Sequence, residues 1–248
     1  MIELRDIRKA FGPKQVLDGV DLKVETGESL VIIGGSGTGK SITIKCILGL
    51  VQPDSGTILL DGQDITKADR DAFLARFGML FQGGALFDSM PVWQNIAFRL
   101  LRGPGRLPRA EARALAIEKL ARVGLGPETA DLYPAELSGG MQKRAGLARA
   151  IAADPEIIFF DEPTAGLDPI MAGVINRLIR DIVDEMGVTA ITITHDMTTV
   201  RDVAHRVAML HGGKIRWCGP VDAVETADDP YLDQFIHGRA EGPIATLR

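Results

Sequence analysis

The sequence predicts an α/β fold with a mostly parallel sheet, and three observations predict it. Two continuously apolar runs, "SLVII" at 29–33 and "IIFF" at 157–160, read as strands buried on both faces, the kind found in parallel sheets. Strand-like and helix-like segments alternate around them, the order of βαβ units. Between the two runs, roughly from 83 to 153, the chain reads as helix alone, an insertion into the α/β pattern.

Each element has its own signal. Residues 19–25 (GVDLKVE) alternate Val20, Leu22 and Val24 with polar residues, the period of a half-buried strand. Residues 44–50 (IKCILGL) read as helix, and 55–65 (SGTILLDGQDI) as a strand closed by an Asp61-Gly62 turn. The stretch 99–109 (RLLRGPGRLPR) is a Gly/Pro-rich basic loop, with Arg99, Arg102, Arg106 and Arg109 expected in solvent. Residues 110–125 predict a helix with a Glu118–Arg122 pair at i,i+4. Another helix is expected over 139–153, with Met141, Ala145, Ala148 and Ala152 on one face and Asp154-Pro155 ending it. A strand at 156–162, a helix closing on Gly187, a β-branched strand at 188–196 and two strands around Gly212-Gly213 follow. Residues 238–248 read as an irregular tail.

The 248 residues suit one large domain or two modest ones, and 46% apolar content supplies a core. Aromatics at 5% argue against stacking platforms for single-stranded nucleic acid, and a net charge of -5 argues against binding a phosphate backbone. No nucleic-acid partner is expected. Cys46 and Cys218 form no CxxC pair, and both read as reduced, packed thiols. The N-terminus lacks the order of a signal peptide, and no apolar run approaches the ~18 residues of a spanning helix. A soluble chain that meets a membrane only through a partner is expected.

The chemistry begins at "GGSGTGKS": Gly34, Gly35, Ser36, Gly37, Thr38, Gly39, Lys40 and Ser41. This is a P-loop pattern between a strand and a helix. Glycines let main-chain N–H groups approach a phosphate chain, and the following helix adds its positive end. Lys40 supplies a mobile charge for the β- and γ-phosphates, and the Ser41 hydroxyl a ligand for Mg2+. Ile42 stands where many such loops carry Thr. Further on, "IIFFDEP" puts Asp161 and Glu162 at the end of a buried strand, where ligands bind in open α/β sheets. Asp161 is expected to hold Mg2+ through water, and Glu162 to orient and deprotonate the attacking water. In "LSGGMQKR", Ser138 is a candidate N-cap, and Gly139 and Gly140 open a second phosphate-ready helix. Two such ends are hard to bring to one γ-phosphate within one molecule, which points to a dimer.

These motifs, in this order and over essentially the whole chain, resemble the ATP-binding cassette (ABC) ATPases that drive transporters. The resemblance implies a P-loop NTPase core with a mostly parallel sheet, an N-terminal antiparallel β subdomain and an inserted helical subdomain. It implies one cassette over 1–236, with the helical subdomain about 83–153, and a C-terminal tail over 237–248. In "DEPTAGLD", Asp168 matches the D-loop; Gln82 in "MLFQGG" matches the Q-loop, which touches Mg2+ and couples to the membrane subunit. His195 in "ITITHD" matches the switch histidine at the γ-phosphate, and Phe11 stands where a stacking Tyr is frequent. Two ATP molecules sandwiched between two copies, with Mg2+, are implied.

Two further stretches, "FQGGALFDSMPVWQNIAF" and "QFIHGRAEGPI", look like the ATPase of the Mla-type (maintenance of lipid asymmetry) phospholipid transporters and the related Mkl/Mce-associated ATPases. That resemblance implies permease subunits, an MCE-domain lipid-binding protein, a small STAS-domain protein, and a peripheral place on the cytoplasmic face of the inner membrane. It also implies that the tail packs on the dimer. A small-solute importer ATPase, such as one for amino acids, is the alternative; a soluble ABC ATPase is a more distant one.

Overall fold

The computed structural model describes residues 1–66, 73–102 and 105–245. Gly103 and Pro104 of the basic loop, and residues 246–248 of the tail, lie outside the described residues. The chain forms two compact units, 1–74 with 191–248, and 75–190. The first opens with β1 (Ile2–Phe11), β2 (Lys14–Val24), β3 (Ser29–Ile33), α1 (Lys40–Ile47), β4 (Ser55–Leu60) and β5 (Gln63–Asp64). The second contains β6 (Phe77–Leu80), α2 (Val92–Ile96), α3 (Arg109–Arg122), α4 (Gly139–Ala150), β7 (Ile157–Asp161) and α5 (Pro169–Met186). β8 (Thr189–Ile193) carries the chain back to the first unit. That unit finishes with α6 (Met197–Val203), β9 (Arg206–His211), β10 (Lys214–Pro220) and α7 (Pro230–His237).

In the first unit, β2, β1, β4 and β5 form an antiparallel sheet in that order. Val20, Leu22 and Val24 are buried, as the alternation predicts, and Asp61-Gly62 turns Leu60 back onto Gln63. β1 has no clear sequence signal. Its buried residues Ile2 and Leu4 alternate, but a register shift follows before Ile7, with Asp6 at φ 47. The irregularity destroys the period of two on which a strand is read. β3 is buried throughout and pairs in parallel with β9, from Leu30 opposite Arg206 to Ile33 opposite Met209. β10 joins β9 antiparallel after the Gly212-Gly213 turn. α7 also lacks an anticipated start; Asp229 caps it by accepting from the N–H groups of Tyr231 and Leu232. The described tail has neither helix nor strand, but Gln234 ties it back, its Oε1 accepting from Ile244 N–H at 2.7 Å.

In the second unit, β6 and β7 pair in parallel, and Phe77 meets Phe159 edge-on at 5.3 Å. α4 stops at Ala150, three residues short of the expected Ala153. Asp154 then takes a left-handed conformation (φ 45), and its carboxylate accepts from the buried Lys119 ammonium at 2.7 Å. The Glu118–Arg122 pair does not form: Arg122 reaches Glu185 at 2.9 Å. An exposed i,i+4 pair contributes only about 0.3–0.5 kcal/mol, so a tertiary partner outcompetes it. The four arginines of the basic loop are exposed, as expected, and three of them still find protein partners. Arg99 donates to Phe77 O at 3.0 Å, Arg102 lies over the Phe98 ring and Arg109 over Trp93. α5 closes on Gly187 at φ 61, as expected.

Both cysteines are free, but only Cys46 is packed. Burial pushes its thiol up to about 11. Cys218 is exposed, a correction to the expectation, because its position on β10 faces outward; Arg206 donates to its sulfur at 3.1 Å. Thiolate is the reactive form, so iodoacetamide at pH 8 is expected to modify Cys218 in the native chain and spare Cys46 until denaturant is added. Intact-mass measurement checks this, and a second adduct on native protein contradicts it.

Candidate active site

In the first unit, buried β3 delivers the chain to Gly34. A Cβ there would lie 2.3 Å from Leu210 O, so only glycine fits. The loop folds on itself: Thr38 Oγ1 donates to Gly35 O at 2.9 Å. The Lys40 ammonium donates to Gly34 O at 2.7 Å and Gly35 O at 2.9 Å. α1 starts at Lys40 behind Gly39, with no acidic residue in its first turn, so its N-terminal amides keep their positive potential. A cavity of about 330 Å3 is lined by Phe11, Lys14, Val16, Gly37, Thr38, Gly39, Lys40, Ser41 and Ile42. Phe11 is 49% exposed, which leaves a ring face available for stacking. Lys14 and Val16 were not singled out in the sequence. With β1 illegible, nothing showed that Lys14 sits opposite Phe11 across the β1–β2 hairpin.

His195 follows β8, whose five residues are all buried, and buried Thr194, and its own ring is exposed. Its neighbour Asp196 caps α6, accepting from Thr198 N–H at 2.9 Å and Thr199 Oγ1 at 2.8 Å. Burial alone would push the Asp196 carboxyl up, yet the hydrogen bonds from Thr199 and Thr198 bring it below its ordinary value.

In the second unit, β7 ends in Asp161 and Glu162, both half-buried. Glu162 is left-handed (φ 46), a conformation that costs an L-residue roughly 1–2 kcal/mol. Its carbonyl accepts from the Lys143 ammonium at 3.2 Å. Lys143 is only 3% exposed. Burial pulls its pKa down, while the Glu162 and Asp161 carboxylates push it back up. The sequence reading missed Lys143, although its spacing, three from Gly140 and four from Leu147, was a signal that it lies on a buried helical face. Ser138 is the N-cap of α4, accepting from Met141 N–H at 3.3 Å, and Gly139 and Gly140 form the first turn. Asp168 caps α5, its Oδ1 accepting from Ile170 and Met171 N–H at 3.0 Å each, a structural duty not read from the sequence. A Cβ on Gly140 would meet Met171 Cε at 2.7 Å, so the two capped helix starts lie together. Gln82 is exposed in the turn after β6. The first unit thus gathers Phe11 and the phosphate loop and carries His195; the second carries Gln82 and gathers the acid pair, Ser138–Gly139–Gly140 and Asp168.

The depressed Asp196 carboxyl gives a pH dependence. Its stabilising contribution is present above the ordinary value of 3.8 and is lost as pH falls through the lower folded value. Asp196→Ala is expected to cost about 1 kcal/mol at pH 7, as loss of an N-cap does, and distinctly less at pH 3. Denaturant titrations of both proteins at the two pH values measure it; a penalty that does not shrink in acid contradicts the assignment.

A family model described as ABC transporter matches residues 17–165. The "probable ribonucleotide transport ATP-binding protein mkl" of Mycobacterium tuberculosis is 42% identical over 246 residues, covering 98% of this chain and 68% of that protein. The "intermembrane phospholipid transport system ATP-binding protein MlaF" of Escherichia coli is 39% identical over 247 residues, covering 98% and 91%. Among solved structures, the dimeric ATP-binding cassette MJ0796, in a post-hydrolysis state bound to ADP and Pi, matches with a TM-score of 0.80 at 30% identity, over 89% of this chain and 99% of that one. With the motif residues on an α/β fold and this likeness running nearly end to end, the chain belongs to the ABC transporter family as an ATP-binding, ATP-hydrolysing cassette.

Proposed function

We propose that this cassette powers phospholipid transport between membranes, working as a homodimer under a pair of permease subunits. The observation that carries the cargo is the likeness to the phospholipid transport ATPase of Escherichia coli, 39% identical across 91% of that protein. A small-solute cargo is the second reading, because the Mycobacterium tuberculosis relative is named for ribonucleotide transport. The cassette is read over 1–236, with its helical subdomain about 83–153 and a tail from 237. Its place is peripheral, on the cytoplasmic face of the inner membrane, beside an MCE-domain lipid-binding protein and a small STAS-domain protein. Among the described residues no helix is long and apolar enough to cross a membrane, so membrane attachment falls to the partners in this reading.

The residues present fit nucleotide and metal. The positive-φ glycines Gly34, Gly37 and Gly39 and the Lys40 ammonium in the same loop suit a phosphate chain. Ser41, Gln82 and Asp161 offer hydroxyl, amide and carboxylate oxygens, the hard donors that Mg2+ prefers, and these would hold it. When bound, Mg2+ neutralises charge on the β- and γ-phosphates. Phe11 stacks on adenine, and residues 34–41 cradle the phosphates. Glu162 orients the attacking water and takes its proton, and His195 contacts the γ-phosphate. Ser138, Gly139, Gly140 and Asp168 of one copy close on nucleotide held by the other. ATP binding closes the dimer, hydrolysis reopens it, and the permease pair follows.

Glu162→Gln keeps the shape of the side chain and removes the base. It is expected to bind MgATP within about threefold of the parent and to lose 10²-fold or more in turnover, a typical general-base effect; parental turnover contradicts the assignment. For the cargo, the tagged chain is purified from its own membranes in mild detergent and its companions are identified by mass spectrometry. Phospholipid with a permease and an MCE-domain protein supports the proposal. A permease with a solute-binding protein moves the assignment to small solutes, and the absence of any membrane protein defeats the transport reading.

A further inference from the structure

The loop after β6 has an unusual backbone. Gly83, Gly84 and Ala85 are all left-handed, at φ 79, 80 and 47. Ala85 has a Cβ, so this conformation must be imposed from outside the residue. The imposing group is at the far end of α4. The Arg149 guanidinium donates through Nη2 to Gly84 O and through Nη1 to Ala85 O, both at 2.8 Å. Among the described residues no carboxylate pairs with it; the fork is spent on two main-chain carbonyls, and burial pulls the guanidinium pKa down. The loop also lies flat on the helix. A Cβ on Gly84 would sit 2.9 Å from Gln142 O, and one on Gly146 would sit 2.9 Å from Leu80 Cδ1 and 3.2 Å from Gly84 Cα. The next stretch is pinned separately: buried Asn95 of α2 accepts from Phe87 N–H at 2.6 Å and donates to Phe87 O at 3.1 Å and Met90 O at 2.9 Å.

We propose that Arg149 is the positioning residue for the loop that carries Gln82. Its fork holds Gly84 and Ala85 to α4, so that Gln82 moves as one body with the helix whose first turn is Gly139 and Gly140. The helix end that closes on nucleotide is thereby joined to the loop that meets the metal and the permease. This rests on the roles given above to Gln82 and to the start of α4. Arg149 touches neither nucleotide nor metal; it acts through the main chain of its neighbours.

The test uses the full-length chain and Arg149→Lys, which keeps the charge but cannot fork onto two carbonyls. Hydrogen exchange followed by mass spectrometry reads the loop directly. Amides of 83–86 are expected to exchange about tenfold faster, while those of 87–90, held by Asn95, and those of β7 keep parental rates. In ATPase assays kcat is expected to fall about tenfold with the KM for MgATP within about twofold, and the substitution adds little in a Gln82→Ala background, because coupled residues are not additive. Gly84→Ala, which leaves the guanidinium intact and crowds the loop off α4, is expected to give the same pattern and serves where Arg149→Lys does not accumulate folded. Unchanged exchange at 83–86, or a uniform rise through the whole unit, overturns the proposal. A local rise at 83–86 together with parental turnover in Gln82→Ala leaves the clamp standing and removes the role assigned to Gln82.

Discussion

Two cations on one helix, Lys143 buried and Arg149 half-buried, hold two left-handed residues, and the second unit is organised around that pairing. Lys143 donates to the carbonyl of Glu162 (φ 46), and Arg149 to the carbonyl of Ala85 (φ 47). Each conformation costs roughly 1–2 kcal/mol in an L-residue, and a hydrogen bond from a charged donor contributes about 1.5–3 kcal/mol. The magnitudes match, so the strain is held by the clamp and not by local sequence. The two cations stand six positions apart along the helix, a rise of about 9 Å. The strand end that carries the acid pair and the loop that carries Gln82 are therefore spaced by a stiff rod.

The first unit meets the same demand, main-chain groups presented to an anion, by removing side chains. Gly34 lies where a Cβ would strike Leu210 O, and the Lys40 ammonium rests on the carbonyls of Gly34 and Gly35. An ionised phosphate adds to an ammonium hydrogen bond a full charge–charge attraction that a neutral carbonyl lacks. The lysine is thus held near its task by contacts that a phosphate outcompetes. The β1–β2 hairpin then sets Phe11 and Lys14 beside that loop, so one cavity receives both a ring face and a charge.

What was legible in the sequence follows from this division. The phosphate loop is contiguous, so it reads directly from residues 34–41, although the atoms that demand glycine at 34 lie far off on β9. The buried strands β3 and β7 and the caps at Ser138 and Gly187 are equally local. The parts that were not legible depend on residues far apart in the chain. β1 is masked by the irregularity around Asp6. Arg122 prefers Glu185 to Glu118, a choice only the packed helices make. The spacing of Lys143 marks a buried face, but the carbonyls that Lys143 and Arg149 reach belong to segments distant in the chain, so their clamping roles are not legible. Cys218 reads as packed until its position on β10 is seen to face outward.

The choice of carbonyls as partners has a further consequence. A carboxylate partner would make each clamp an ion pair whose strength changes with protonation and, where exposed, with salt. A carbonyl oxygen does not titrate. Arginine stays charged at any pH the fold survives, so the Arg149 contact does not depend on acid or base in that range. Lys143 is different: burial pulls it toward neutrality, and the Asp161 and Glu162 carboxylates oppose that pull. Neutralising those carboxylates removes the opposition and leaves burial to dominate. The Gln82 side of α4 is thus held by a permanent charge, and the Glu162 side by one that responds to the charge state of the acid pair.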